Sequence, residues 1–99
     1  MSCKDMGSMK PAPRDGAATR DFKAADVAMM KDMDFPYSGN PDVDFHTHMI
    51  PHHKGAVAMA RVALKHVKAP ATKAMVRKII DDQTTEIFDM EAWLKRHGK

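Results

Sequence analysis

Cysteine is nearly missing from this chain of 99 residues, which contains only Cys3. A lone thiol excludes an intramolecular disulfide and any zinc cluster that needs several cysteines. Long apolar stretches are missing as well, and none approaches the ~20 residues with which a helix crosses a bilayer. The sequence therefore predicts a soluble domain with no membrane span.

Glutamate is scarce, and the catalytic motifs that depend on it are absent. The glutamates are Glu86 and Glu91, and neither stands in the Glu-x-x-His spacing of di-iron bundles. The His-Glu-x-x-His motif of zinc hydrolases is also absent. We therefore expect no enzyme, with copper-dependent redox chemistry as the enzymatic alternative that the ligands alone leave open.

Charge of one sign does not dominate, since sixteen lysines and arginines stand against thirteen aspartates and glutamates. The net charge of +3 is too small to indicate a nucleic-acid partner. The chain is rich instead in soft and borderline metal donors, with ten methionines and six histidines. Its length suits one small domain.

The first part of the chain has no apolar period. Glycine and proline among charged residues predict a mobile arm over residues 1–18. Its potential donors for a soft metal are Met1, Cys3, Met6 and Met9. Residues 19–99 are then expected to form a single helical metal-binding domain.

Three helical segments are predicted within that domain. Thr19 is suited to cap a first helix of about fifteen residues. Asn40-Pro41 starts a second helix that runs to Val67, and a third covers residues 71–97. No strand pattern appears. The predicted fold is all-α: a hairpin of two long antiparallel helices with a shorter N-terminal helix against it, of four-helix-bundle type, with a second copy as one way to complete the bundle.

Histidine and methionine concentrate in the first half of the second helix. Residues 45–60 hold four of the six histidines. Imidazole nitrogen and thioether sulfur together suit Cu(I) and Ag(I) above hard cations. The donors in this segment are His46, His48, Met49, His52, His53 and Met59. The segment therefore predicts a copper site.

The hairpin brings unusual residues of the third helix opposite this segment. If the chain turns at Ala69-Pro70, antiparallel positions pair when their numbers sum to about 139 or 140. A buried carboxylate without a partner is costly, so Glu86 needs a donor or a positive charge facing it. The resulting pairs are His53 with Glu86, Met49 with Met90, and Ala56 with Gln83.

Packing explains part of the pattern. Methionine fills irregular gaps between helices, and this is the expected role of several of these side chains. For Met59, packing and metal binding are both open interpretations. For Glu86 and Gln83, a polar core network and a support that orients a ligating imidazole are equally good interpretations. The residues expected to pack or to lie at the surface are Met29, Met30, Met33, Met75, His66, His97 and Trp93.

Two motifs in the long helices carry a family resemblance. They are Phe45-x-x-x-Met49-Ile50-Pro51-His52-His53-x-x-Ala56-x-x-Met59-Ala60 and Ile79-Ile80-x-x-Gln83-x-x-Glu86-Ile87-x-x-Met90-x-x-Trp93-Leu94. Together they resemble the CopM-type copper metallochaperones, whose shared domain is catalogued as domain of unknown function number 305. The resemblance covers residues 42–97. It implies a four-helix, ferritin-like bundle, a periplasmic or otherwise extracytoplasmic location in bacteria, and binding of copper or silver.

The resemblance also implies which residues bind the metal. They are Met49, His52, His53 and Met90, with His48 and Met59 as further candidates. The expected function is a metallochaperone or metal buffer that holds Cu(I), with Cu(II) and Ag(I) as further ions, and hands copper to a partner protein. The alternative is a metal-independent helical adaptor or homodimer, for which the small residues Ala56, Ala60 and Ala63 provide a close-packing face.

Overall fold

The computed structural model describes residues 9–97, and over this range the chain forms three α-helices and no strand. Helix α1 is Ala17–Asp32, α2 is Pro41–His66, and α3 is Pro70–His97. The all-α prediction is therefore confirmed. The predicted ends of α2 and α3 agree with the structure to within about a residue, which is the usual uncertainty of helix boundaries.

The start of α2 is built as its sequence predicts. The Asn40 side chain accepts hydrogen bonds from the backbone N–H groups of Asp42 and Val43, at 3.0 and 3.3 Å, so it satisfies two donors that have no partner inside the helix. Gly39 adopts φ +94°, a backbone conformation that disfavours any residue with a Cβ. The helix then continues without a break through Pro51.

The start of α1 differs from the prediction. Its N-cap is Gly16, which makes no side-chain capping hydrogen bond, so the assignment of Thr19 as the cap is wrong. Asp15 fastens the preceding segment to the helix instead, because its Oδ2 accepts from the Ala12 N–H at 2.7 Å and from Lys23 Nζ at 2.8 Å. The predicted arm is thus attached over residues 9–16, while Met1, Cys3 and Met6 lie outside the described residues.

Helix α2 lies in the middle of the molecule, with α1 and α3 packed against it. In the described part of the chain α1 makes no close contact with α3. Phe22 of α1 packs on a cluster that α2 and α3 share. The described helices therefore pack as an all-α, bundle-like fold with one helix fewer than a four-helix bundle.

The core is correspondingly small. Its buried apolar residues are Val57, Ala60, Ala63 and Val76. Phe22 of α1 packs against this cluster. Met75, which was expected to pack, is 58% exposed, so that expectation is wrong. The alanines let the helix backbones approach closely, but small side chains bury little apolar surface.

Helix α1 is held on α2 at two points. Gly55 allows close approach, because a methyl group at this position would overlap the Met29 side chain. Further along, His66 Nε2 lies 2.9 Å from Asp21 Oδ2. The hydrogen bond from His66 holds the pKa of Asp21 below its ordinary value of 3.8.

Among the helices of the described residues, none combines the length and the apolar character needed to cross a membrane.

Candidate metal centre between the long helices

The predicted register of the hairpin is confirmed by one short contact. His53 Nε2 lies 2.6 Å from Glu86 Oε1, which is the pairing expected from the position of the turn. The His53 side chain is 13% exposed, whereas that of Glu86 is 53% exposed. The imidazole therefore lies in the seam between α2 and α3, and the carboxylate reaches it from the solvent side.

Both ring nitrogens of His53 have acceptors. Nδ1 lies 3.0 Å from the backbone oxygen of Met49, and a carbonyl oxygen only accepts, so Nδ1 carries a proton. This assignment leaves Nε2 as the nitrogen that can bind a metal ion, and the Glu86 carboxylate occupies it in this structure. The arrangement accommodates the doubly protonated imidazolium, which donates to Met49 and to Glu86.

Met49 and Met90 lie at one level of the seam. Towards the turn, that level is bounded by the His53 and Glu86 contact. Towards the open end of the hairpin it is bounded by His46, whose ring stacks on Trp93 with centroids 4.0 Å apart and planes 6° apart. Both methionines are half-buried. By this register Met49 and Met90 occupy paired positions on the two helices, and His53 follows Met49 by about one helical turn, since a turn rises about 5.4 Å.

The remaining predicted ligands lie elsewhere. His52 is exposed, since adjacent residues on a helix point about 100° apart. Met59 is half-buried and follows Met49 by ten residues, or about 15 Å along the axis. His52 therefore points away from the seam, and Met59 lies at a different level along it.

His48 is part of the packing of the loop between α1 and α2. Its ring lies between those of Phe35 and Tyr37, with centroid distances of 4.3 and 4.0 Å. Its Nδ1 is 3.0 Å from the backbone oxygen of Asp44, and its Nε2 is 3.4 Å from that of Phe35. Both nitrogens therefore face carbonyl oxygens of the loop and helix, and the structure does not bring His48 to α3.

Asp44 closes the same loop. Its Oδ1 accepts from the N–H and the hydroxyl of Ser38, at 2.7 and 2.8 Å, and its Oδ2 accepts from the Gly39 N–H at 3.0 Å. The bond from the Ser38 backbone is the largest of the effects that hold the pKa of Asp44 below its ordinary value of 3.8. The loop is therefore ordered by a charged hydrogen-bond acceptor rather than by apolar burial.

The sequence reasoning missed the aromatic cluster at the open end of the hairpin. Trp93 is half-buried and His97 is exposed, as expected. The sequence did not predict that the Trp93 ring stacks on His46 and has its centroid 4.9 Å from that of His97. The signal was available, because the register that pairs His53 with Glu86 also pairs His46 with Trp93. His46 Nδ1 lies 2.7 Å from the backbone oxygen of Asp42, which fixes the ring orientation.

The acidic and amide residues of α3 have different surroundings. Gln83 is half-buried and Glu86 is exposed. Within residues 9–97, no three side chains of His, Cys, Asp or Glu cluster in a way that would hold a metal ion. The donors that the seam itself offers are therefore His53 and the sulfur atoms of Met49 and Met90.

Comparison with known proteins gives one family. Residues 42–99 match the family model described as Domain of unknown function (DUF305). The match covers α2 and α3 and leaves α1 outside. No curated protein matches the chain.

Proposed function

The chain belongs to the DUF305 family, and on the geometry of its hairpin we propose that it is a copper-binding protein of the CopM type, which buffers Cu(I) or transfers it to a partner protein. The observation that carries the proposal is the 2.6 Å contact between His53 and Glu86. It fixes the register of the two long helices, and in that register Met49 and Met90 have paired positions about one turn from His53, which supports the proposal.

The donor set suits a soft monovalent ion. Thioether sulfur is polarizable and uncharged, and imidazole is a borderline ligand, so the combination favours Cu(I) and Ag(I) over zinc, calcium or magnesium. In the proposed site Met49, Met90 and His53 hold the ion. His52 is exposed one residue away, where it is available to an arriving or departing ion.

Loading of the site exchanges a proton for a metal ion. His53 Nε2 faces the Glu86 carboxylate in the metal-free protein, and imidazole binds a metal only after losing the proton on the ligating nitrogen. Because Glu86 is half-exposed, its side chain can turn into solvent without breaking the core. The Met49 carbonyl keeps Nδ1 protonated and the ring oriented throughout, which is how hydrogen bonds position ligating histidines.

The proposed setting is an oxidising, extracytoplasmic compartment. Thioethers have no proton to lose near neutral pH and do not form disulfides, so a Met-containing site keeps working where thiolates would be oxidised. Copper homeostasis or resistance in the periplasm is the corresponding role.

A competition titration tests the proposal. The purified protein is titrated with Cu(I) and Ag(I) against a chromophoric chelator, and with Zn(II) in parallel. Met49→Leu and Met90→Leu remove one sulfur each with little change in volume, and we expect each to lower Cu(I) affinity by about tenfold or more, as lost site interactions commonly do. The matched control is Met75→Leu, because Met75 lies on α3 and is 58% exposed. Zinc binding should change little in all three variants.

Two results would contradict the proposal. One is a Cu(I) affinity that neither seam methionine affects, which would remove sulfur from the site. The other is the absence of Cu(I) binding altogether, which would favour the metal-independent adaptor. An adaptor would also keep its partner when His52 and His53 are both changed to Ala, a double substitution that should abolish copper retention.

A further inference from the structure

Two methionines of α1 lie on the side of that helix that faces α2. Met29 fills the space beside Gly55 of α2, and Met33 follows Met29 by four residues. The Met33 N–H donates to the Met29 carbonyl at 3.0 Å, so the helical geometry continues through Met33. Residues four apart are neighbours on one side of a helix. Both thioethers therefore belong to the seam between α1 and α2.

The sulfur of Met29 lies against the backbone of α2. The atom nearest to the place that a side chain at position 55 would occupy is Met29 Sδ, followed by the Cγ and the Cβ of the same residue. Any residue other than glycine would fill this place, because it has a Cβ. Gly55 therefore gives the Met29 sulfur a defined position at one level of the seam.

Met59 reaches the same level from α2. It follows Gly55 by four residues, so it is the next residue on that side of the helix, and it is half-buried. Long side chains on a helix lean toward its N-terminus and cover the turn before their own Cα. The Met59 side chain therefore extends back over Gly55, where Met29 Sδ lies.

Met33 reaches this level from the opposite direction. Helices α1 and α2 are antiparallel, since Met29 contacts Gly55 whereas the earlier Asp21 contacts the later His66. The Met33 side chain leans toward the N-terminus of α1, which is toward Met29. Because the helices are antiparallel, it approaches from the end of the seam opposite to Met59.

The three residues Met29, Met33 and Met59 are called the thioether cluster below. All three are half-buried. Asp26, one turn before Met29 on α1, is half-buried as well, and residues three apart are neighbours on a helix. A carboxylate beside three uncharged sulfurs favours a cation at this place, which apolar packing alone does not require.

We propose that the thioether cluster is a second site for a soft monovalent ion, Cu(I) or Ag(I). Thioethers suit such ions and are poor ligands for zinc or magnesium. The site rests on the copper chemistry of the proposed function, but it shares no donor with the site between α2 and α3. Its two α1 residues lie outside the DUF305 match. The chain then holds two ions, one in each seam of α2.

Nuclear magnetic resonance of the methionine methyl groups tests the site, because each ε-methyl group reports on its own sulfur. Protein labelled at these methyl groups is titrated with Ag(I), and with Zn(II) in parallel. All samples carry Cys3→Ser, so that the soft thiol does not take up silver. We expect the signals of Met29, Met33 and Met59 to shift together with one dissociation constant for Ag(I). Zn(II) should not shift them, and neither ion should shift Met30.

One substitution removes the central sulfur. Met29→Leu changes the volume little, and we expect it to weaken Ag(I) binding at Met33 and Met59 by about tenfold or more. Binding in the α2–α3 seam should stay the same. Met30→Leu is the matched control, since Met30 is also half-buried on α1 but points about 100° away from Met29. If circular dichroism shows that Met29→Leu loses helix, Met59→Leu takes its place.

Several outcomes overturn the second site. Signals of the thioether cluster that stay unshifted at saturating Ag(I) do so, because packing alone then explains these methionines. An affinity of the cluster that Met29→Leu leaves unchanged, or that Met30→Leu lowers equally, has the same meaning. The signals of Met49 and Met90 separate the two proposals. Shifts confined to that pair contradict the second site and keep the first, whereas shifts confined to the cluster do the reverse.

Discussion

His53 is held by acceptors on two different helices, and the two have opposite consequences for a metal ion. The Met49 carbonyl accepts from Nδ1 and so keeps Nε2 as the ligating nitrogen. Glu86 contacts Nε2 itself, so in the proposed site it competes with copper for that nitrogen. The sequence placed Glu86 correctly, but it could not show which nitrogen the carboxylate would reach.

Replacing Glu86 by Gln should therefore strengthen copper binding. The amide keeps the size of the side chain, but its hydrogen bond with Nε2 has no ionised acceptor and is weaker, so a metal ion displaces it more easily. Because the pair is partly exposed, its contribution is at most about 1 kcal/mol, and we expect up to about a fivefold gain in Cu(I) affinity. The measurement is a chelator competition repeated at neutral and mildly acidic pH, with Glu91→Gln as the control on the same helix. A loss of affinity would assign Glu86 to the ligands instead.

His46 and His52 differ in how much each should contribute to the stability of the fold. His46 stacks on Trp93, whereas His52 is exposed. An aromatic pair contributes about 0.5–1.5 kcal/mol beyond its buried area, so His46→Ala should lower the free energy of unfolding by about 1 kcal/mol. His52→Ala should stay within about 0.5 kcal/mol of the wild type. Urea denaturation followed by Trp93 fluorescence measures both, and equal effects would mean that the stack does not hold the open end of the hairpin.

At the scale of helices, the residues at each helix start determined whether that boundary could be predicted from the sequence. Asn40 and Pro41 mark the start of α2, and Pro70 marks the start of α3, so both were predictable to about a residue. Helix α1 begins after Gly16, and the segment before it is fastened by Asp15 and Lys23. That attachment joins residues eight positions apart and leaves no helix-start motif, which is why the first boundary was wrong.

In the candidate site, too, some contacts could be predicted from the sequence and others could not. The pairing of His53 with Glu86 follows from the position of one turn and from helix geometry, so the sequence was sufficient. The enclosure of His48 by Phe35 and Tyr37 depends on the path of an irregular loop, which no periodic pattern specifies. His48 therefore looked like a free donor in the sequence.

Gly55 supplies a prediction about the docking of α1. Replacing glycine by alanine inside a helix ordinarily stabilises by about 1 kcal/mol. Here the added methyl group meets the Cβ of Met29 at 2.9 Å, and Cβ cannot move unless the helix moves, so overpacking of about 1–3 kcal/mol opposes that gain. We expect Gly55→Ala to be destabilising by up to about 2 kcal/mol in chemical denaturation. Ala58→Gly on the exposed side of α2 measures the propensity effect alone, and a stabilised Gly55→Ala protein would show that α1 does not dock here.

At the scale of the whole molecule, carboxylates fasten α1 and its loops to the hairpin. The pKa values of Asp15, Asp21 and Asp44 are all lowered, chiefly by hydrogen bonds from Lys23, His66 and Ser38 respectively. A lowered pKa in the folded state stabilises the protein fully above the ordinary value of 3.8, and this contribution is lost as the pH falls through the lowered values. None of the three residues lies between α2 and α3.

Acid should therefore loosen α1 before it separates the hairpin. As the pH is lowered below about 4, we expect amide hydrogen exchange to accelerate in α1 and in residues 33–40 while the middle of α3 stays protected. Asp21→Asn should bring this loosening about near neutral pH at the His66 end of α1. Exchange measured by mass spectrometry resolves the segments. Simultaneous loss of protection in α1 and α3 would mean that the molecule unfolds as one unit.

The exposure of Glu86, at 53% of its side chain, also bears on how copper would leave the proposed site. If the carboxylate returns to Nε2 as the ion departs, the imidazole is never left without a partner. A recipient protein would then take up the ion from the solvent side of the seam, and the two helices would not have to separate for each transfer.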